Sequence, residues 1–98
     1  MIAATTRIFI CAEAQDMRRS FDGLALAARE HLGEDPKSGA LFAFVNKRRN
    51  RLKVLWFDQN GFCILYKRIH RAHFELPGSR TIDAHTLGLI LRGVEKSR

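Results

Sequence analysis

The sequence predicts an α+β domain: a mixed sheet, built around a three-stranded antiparallel meander, with two helices packed on one face. Three observations carry that prediction. Two stretches place apolar residues at helical spacing, and the stretches between them read as strands broken by turn residues. The chain has 98 residues, enough for one hydrophobic core but not for two, so a single domain over 1–98 is expected. Hydrophobic residues at 46% and charged residues at 28% lie near the globular average, which argues against wholesale disorder and against a fibrous repeat.

The elements follow in order. Arg7 to Ala12 is apolar and rich in β-formers, a candidate buried strand. In the next element Phe21, Leu24, Ala28 and Leu32 share one helical face, Ser20 or Asp16 can cap its start, and Gly33 stands where a C-terminal glycine belongs. Strands are expected over Leu41 to Asn46, Arg51 to Asp58 and Phe62 to Ile69, separated by Lys47-Arg48-Arg49-Asn50 and by Asn60-Gly61. Asn-Gly is a strong hairpin signal, because both central residues of a type I′ turn need positive φ. With Asn60 and Gly61 as the loop, Phe57 faces Ile64, Leu55 faces Tyr66, Lys53 faces Arg68 and Arg51 faces His70. After Pro77, Leu87, Ile90, Leu91 and Val94 form the apolar stripe of a last helix over about Asp83 to Glu95. Two amphipathic helices and a sheet with one apolar face satisfy each other in two layers, and the first strand can join the sheet through a crossover.

Charge is the informative deviation. Seventeen Lys and Arg against ten Asp and Glu leave +7 and a pI near 10.3. Residues 47 to 73 contain Lys47, Arg48, Arg49, Arg51, Lys53, Lys67, Arg68 and Arg71 against the single acid Asp58, so the whole net charge lies there. Like charges gathered at one end of a hairpin repel, and a phosphate backbone would relieve that repulsion. These eight residues are therefore the candidate nucleic-acid-binding set, with DNA as the expected partner. An acidic protein surface and a merely solvated turn are the competing readings. Trp56, Phe57, Phe62 and Tyr66 are interleaved with the patch and can stack on bases, although a small domain needs most of its aromatics inside. Arg18 and Arg19, before the first helix, offer a second anion contact or a plain surface role.

Catalysis is not expected. No nucleophile elbow, P-loop or zinc-protease motif occurs, and the acids show no spacing that marks an acid/base pair. His70 and His73 point to opposite sides of a strand, and Cys11 and Cys63 have no metal-type spacing, so no metal and no cofactor are expected. Both cysteines sit in apolar runs and read as buried free thiols of a cytoplasmic protein. No apolar run approaches the roughly 18 residues of a membrane span. The run Ile8 to Ala12 before Ala12-Glu13-Ala14 is too short for a secretion signal, and no basic segment precedes it.

The ordered motifs Asp16-Met17-Arg18-Arg19-Ser20-Phe21-Asp22-Gly23-Leu24, Asp35-Pro36, Gly39-Ala40-Leu41-Phe42-Ala43-Phe44, Asn46-Lys47-Arg48-Arg49, Leu52-Lys53 and Lys67-Arg68 resemble one bacterial family. It is the TnpB accessory proteins, products of the second reading frame of the IS66 group of insertion sequences. The resemblance runs from about Arg7 to Val94. It implies a non-catalytic role in transposition beside a larger transposase and a second small accessory protein, both of which become candidate partners. DNA binding through the hairpin patch is the reading from charge, and a protein-only adaptor that binds the transposase or the other accessory protein is its rival. The chain departs from the family pattern in Trp56-Phe57-Asp58 before the turn, in Leu76 before Pro77, and in His70 where the family carries an acid. The last change makes this patch more basic than the family form.

Overall fold

The computed structural model describes Ala3 and residues 5–95. Along these run β1 (Ile8–Ile10), α1 (Phe21–Leu32), β2 (Leu41–Val45), β3 (Arg51–Asp58), β4 (Gly61–Arg68), β5 (Ala72–His73), β6 (Thr81–Ile82), α2 (Ala84–Arg92) and β7 (Val94–Glu95). Five strands form one mixed sheet in the order β4-β3-β2-β1-β6, and β5 pairs with β7 in a separate ribbon. The meander β2-β3-β4 is antiparallel throughout, and β1 joins it parallel to β2, as a crossover through α1 requires. The α+β class is thus the observed one. The short strands β5, β6 and β7 lacked a sequence signal, because two residues carry no periodicity.

The helices do not share a face. Leu24, Ala27, Ala28 and Leu32 of α1 pack against Phe9, Phe42, Phe44 and Leu55, whereas Leu87 and Ile90 of α2 pack with Ile8, Ile10, Leu41, Ala43, Val45, Leu52 and Val54. These are the alternate residues of the same strands, so the architecture is helix, sheet, helix in three layers. The expectation of two layers is corrected. Its error lay in assuming one apolar sheet face: β1 and β2 are unbroken apolar runs with every residue buried, the pattern of strands covered on both sides.

The hairpin register also differs from expectation. Asp58 pairs with Gly61, so the two-residue loop is Gln59-Asn60, with Gln59 at φ 53°. Phe57 therefore faces Phe62, Leu55 faces Ile64, Lys53 faces Tyr66 and Arg51 faces Arg68. The shift is two residues, and because the side-chain period is two, every residue of β3 and β4 keeps its expected face. What the shift gains is an edge-to-face contact between Phe57 and Phe62, with ring centroids 5.1 Å apart.

Helix ends follow local chemistry. Gly33 closes α1 in the left-handed conformation, φ 65°. Ser20 stands at the N-cap of α1 without a side-chain hydrogen bond to it, and Asp16 instead accepts the backbone N–H of Arg18 at 2.8 Å. At α2, Asp83 Oδ1 accepts the N–H of Thr86 at 2.8 Å, and this hydrogen bond lowers its carboxyl pKa. The expected run of α2 to Glu95 stops at Arg92, because Gly93 turns the chain at φ 73° into β7. A Cβ at Gly93 would lie 2.9 Å from Ile69 Cδ1 and 3.3 Å from the carbonyl oxygen of His73. Gly93→Ala is expected to destabilise the fold by about 2 kcal/mol, from positive φ and the clash together, read as a lower denaturation midpoint at unchanged m-value.

Candidate nucleic-acid interface

The turn between β2 and β3 is built by asparagines. Asn46 Oδ1 accepts the backbone N–H groups of Asn50 and Arg51, each at 3.0 Å, and its Nδ2 donates to Asn50 Oδ1 at 2.7 Å. Arg49 donates its N–H to the Asn46 carbonyl, and its own carbonyl accepts the N–H of Phe74. The loop is thereby fixed at both ends and across to a neighbouring segment. Lys47, Arg48 and Arg49 project from it, all exposed, with Arg49 held at φ 58°. Sequence reasoning overlooked the role of Asn46. Its signal was present, since an Asn at the mouth of a turn bonds backbone groups further along the chain. Asn46→Ala is expected to cost about 1–3 kcal/mol, since two backbone donors lose their acceptor, with faster amide exchange at residues 50 and 51 as the direct readout.

The eight basic candidates divide into two groups. Lys53 is only 8% exposed, and its Nζ donates to the carbonyls of Met17 and Arg19, both at 2.7 Å, under the ring of Tyr66 at 4.8 Å. It ties β3 to the segment that leads into α1. Lys67, on the opposite sheet face, donates at 2.6 Å to the carbonyl of Leu91 in the last turn of α2, where a cation complements the helix dipole. The remaining six are differently placed. Arg51 lies beside the turn with Nη1 3.3 Å from the Tyr66 hydroxyl, Arg68 faces it across the hairpin, and Arg71 stands exposed at φ 53° just beyond. Among the described residues none of these six is paired with a carboxylate; the ion pairs join Asp16, Glu34, Glu13 and Glu75 to other residues.

Facing the turn across a shallow groove of about 630 Å³ is the segment Ala14 to Arg18. Arg18 grips Asp16 with its Nε and Nη2, the shortest contact being 2.6 Å. These hydrogen bonds hold the Asp16 carboxyl down at about 2 and raise the Arg18 pKa in return. Arg19 turns inward instead, to Gln15 Oε1 and the Gly23 carbonyl. Of the interleaved aromatics, Trp56 and Phe62 pack on the core and Phe57 packs on Phe62, which leaves Tyr66, 49% exposed, as the one beside the basic group. Among the described residues no three His, Cys, Asp or Glu side chains gather as a metal site, and no helix is long and apolar enough to cross a membrane. Cys11 and Cys63 are free thiols, Cys11 buried with its pKa raised by desolvation and Cys63 half-buried.

The profile of the family described as IS66 Orf2 like protein matches residues 6–98. The chain belongs to that family. Among curated proteins, the uncharacterized protein y4hO of Sinorhizobium fredii strain NGR234 is 36% identical over 93 residues, covering 91% of this chain and 81% of that protein. The uncharacterized protein y4jC of the same strain is 27% identical over 96 residues, covering 94% and 82%. No solved structure matches. Membership of the IS66 Orf2-like family carries an accessory role in transposition of an insertion sequence, in a family of accessory proteins and not of known enzymes.

Proposed function

We propose that this IS66 Orf2-like protein serves transposition by binding DNA through Lys47, Arg48, Arg49, Arg51, Arg68 and Arg71. The observation that carries the reading is the state of these six cations: they cluster at one end of the β3–β4 hairpin, five of them exposed and Arg51 half-buried, and have no carboxylate partner among the described residues. A rigid exposed turn with unpaired arginines matches a phosphate backbone, whose contacts position a protein without reading sequence. Lys53 and Lys67 are left out of the contact set, because their ammonium groups are committed to backbone carbonyls.

The test is salt dependence. If about four phosphates are neutralised, log K falls with log salt at a slope near −3.6, measured by fluorescence anisotropy on labelled duplexes. A flat or absent signal, together with co-purification of the element's transposase, would establish the adaptor reading instead.

A further inference from the structure

We propose that the edge of β4, unpaired among the described residues, pairs antiparallel with β4 of a second copy, giving a two-fold dimer with one sheet running through both chains. The two edges of the five-stranded sheet are unlike. At one end stands β6 with two residues, too short to template a partner. At the other stands β4 with eight, paired to β3 without a bulge from Arg68 to Gly61. Natural edges are blunted by charge, proline, bulges or brevity. None of these interrupts Phe62 to Tyr66, where Leu65 is 42% and Tyr66 49% exposed.

Charge and symmetry point to a second copy as the occupant. Parallel self-pairing would set both Lys67-Arg68 ends against each other. Antiparallel pairing sends them apart and lays each beside the other copy's hairpin tip, which carries Asp58, the one acid between residues 47 and 73. A two-fold axis at Ile64 keeps each sheet face continuous, since residues of like parity then oppose one another. Phe62 of each copy meets Tyr66 of the other, two aromatic cross-strand pairs from one contact. Gly61 opposes Lys67, and the space at Gly61 is open. The inference is independent of DNA binding, although such a dimer would carry its two basic turns at opposite ends.

Sedimentation velocity of the full chain decides it. At about 100 µM the protein is expected to sediment as a dimer, and Leu65→Lys, which puts a cation on an already exposed site, to raise the dissociation constant at least about ten-fold. Asp58→Lys should weaken the dimer as well, and more so at low salt. A wild-type monomer at that concentration, or a Leu65→Lys protein that dimerises as well as the parent, overturns the proposal. Should Leu65→Lys fail to fold, hydrogen exchange on the wild type substitutes for it. Protection of β4 amides that rises with concentration supports self-pairing, and protection that ignores concentration or appears only with added transposase refutes it.

Discussion

Replacing Arg48 and Arg49 together by Ala is expected to lessen the salt slope of DNA binding by about 1.8 and to weaken binding roughly 60-fold at about 0.1 M salt, if each arginine neutralises one phosphate. The loss should be nearly equal for all sequences, because phosphate contacts carry no base information. Stability should move by no more than about 0.5 kcal/mol per residue, since both side chains leave an exposed turn whose hydrogen bonds are made by Asn46 and by backbone. A companion variant sharpens the test. Arg49→Gly removes one of these two charges and relieves a left-handed residue at φ 58°, so it should stabilise the fold by about 1 kcal/mol while weakening DNA binding. A purely structural Arg49 would not make stability and affinity move in opposite directions. An unchanged slope in the folded double variant would remove the turn from the interface, and a loss confined to one sequence would mean that an arginine reads a base edge.

Lys53→Met should give the largest loss of stability among the basic residues and the smallest loss of DNA binding. Its ammonium supplies hydrogen bonds to two partly buried carbonyls, at Met17 and Arg19. Methionine keeps the apolar stem but leaves both acceptors without a donor, at a cost of about 2–4 kcal/mol, or a fall in Tm of roughly 10–25 °C for a domain of this size. The salt slope of the folded variant should match that of the parent, because Nζ faces carbonyls and not solvent. A lower slope with unchanged Tm would return Lys53 to the DNA contact set.

The turn variants and Lys53→Met mark where sequence reasoning reached and where it stopped. Lys47 and Lys53 are the same residue type six positions apart, in a run whose charge was the clearest signal in the chain. Binary pattern does not separate them, because Lys53 stands on the face of β3 that also carries Leu55, and only the segment before α1, some 35 residues earlier, supplies the carbonyls that bury it. The register is a similar case. Asn60-Gly61 identified the hairpin, and the strand β3 has the expected bounds. The two-residue slide was invisible because it exchanges cross-strand partners without moving any side chain to the other face, so hydrophobic patterning scores both registers alike.

The local elements and the location of the charge follow from short stretches of neighbouring residues. Helical spacing with Gly33 at its end set α1, turn residues bounded the three meander strands, and the excess of arginine and lysine between residues 47 and 73 marked the hairpin. These are properties of adjacent residues, governed by backbone sterics and periodicity, and they need no knowledge of the rest of the chain. Which side of the sheet each helix covers, and which cations have no partner among the described residues, are settled by long-range packing. An amphipathic helix encodes that it must bury a stripe, but not against which face. Here β1 and β2 are apolar on both sides, so α1 and α2 take opposite faces, and each receives one lysine of the hairpin on backbone carbonyls at its end: Lys53 before α1 and Lys67 at the close of α2. The six cations not drawn into such contacts are therefore a product of the packing, since the burial that withdraws the other two depends on contacts far apart in the chain.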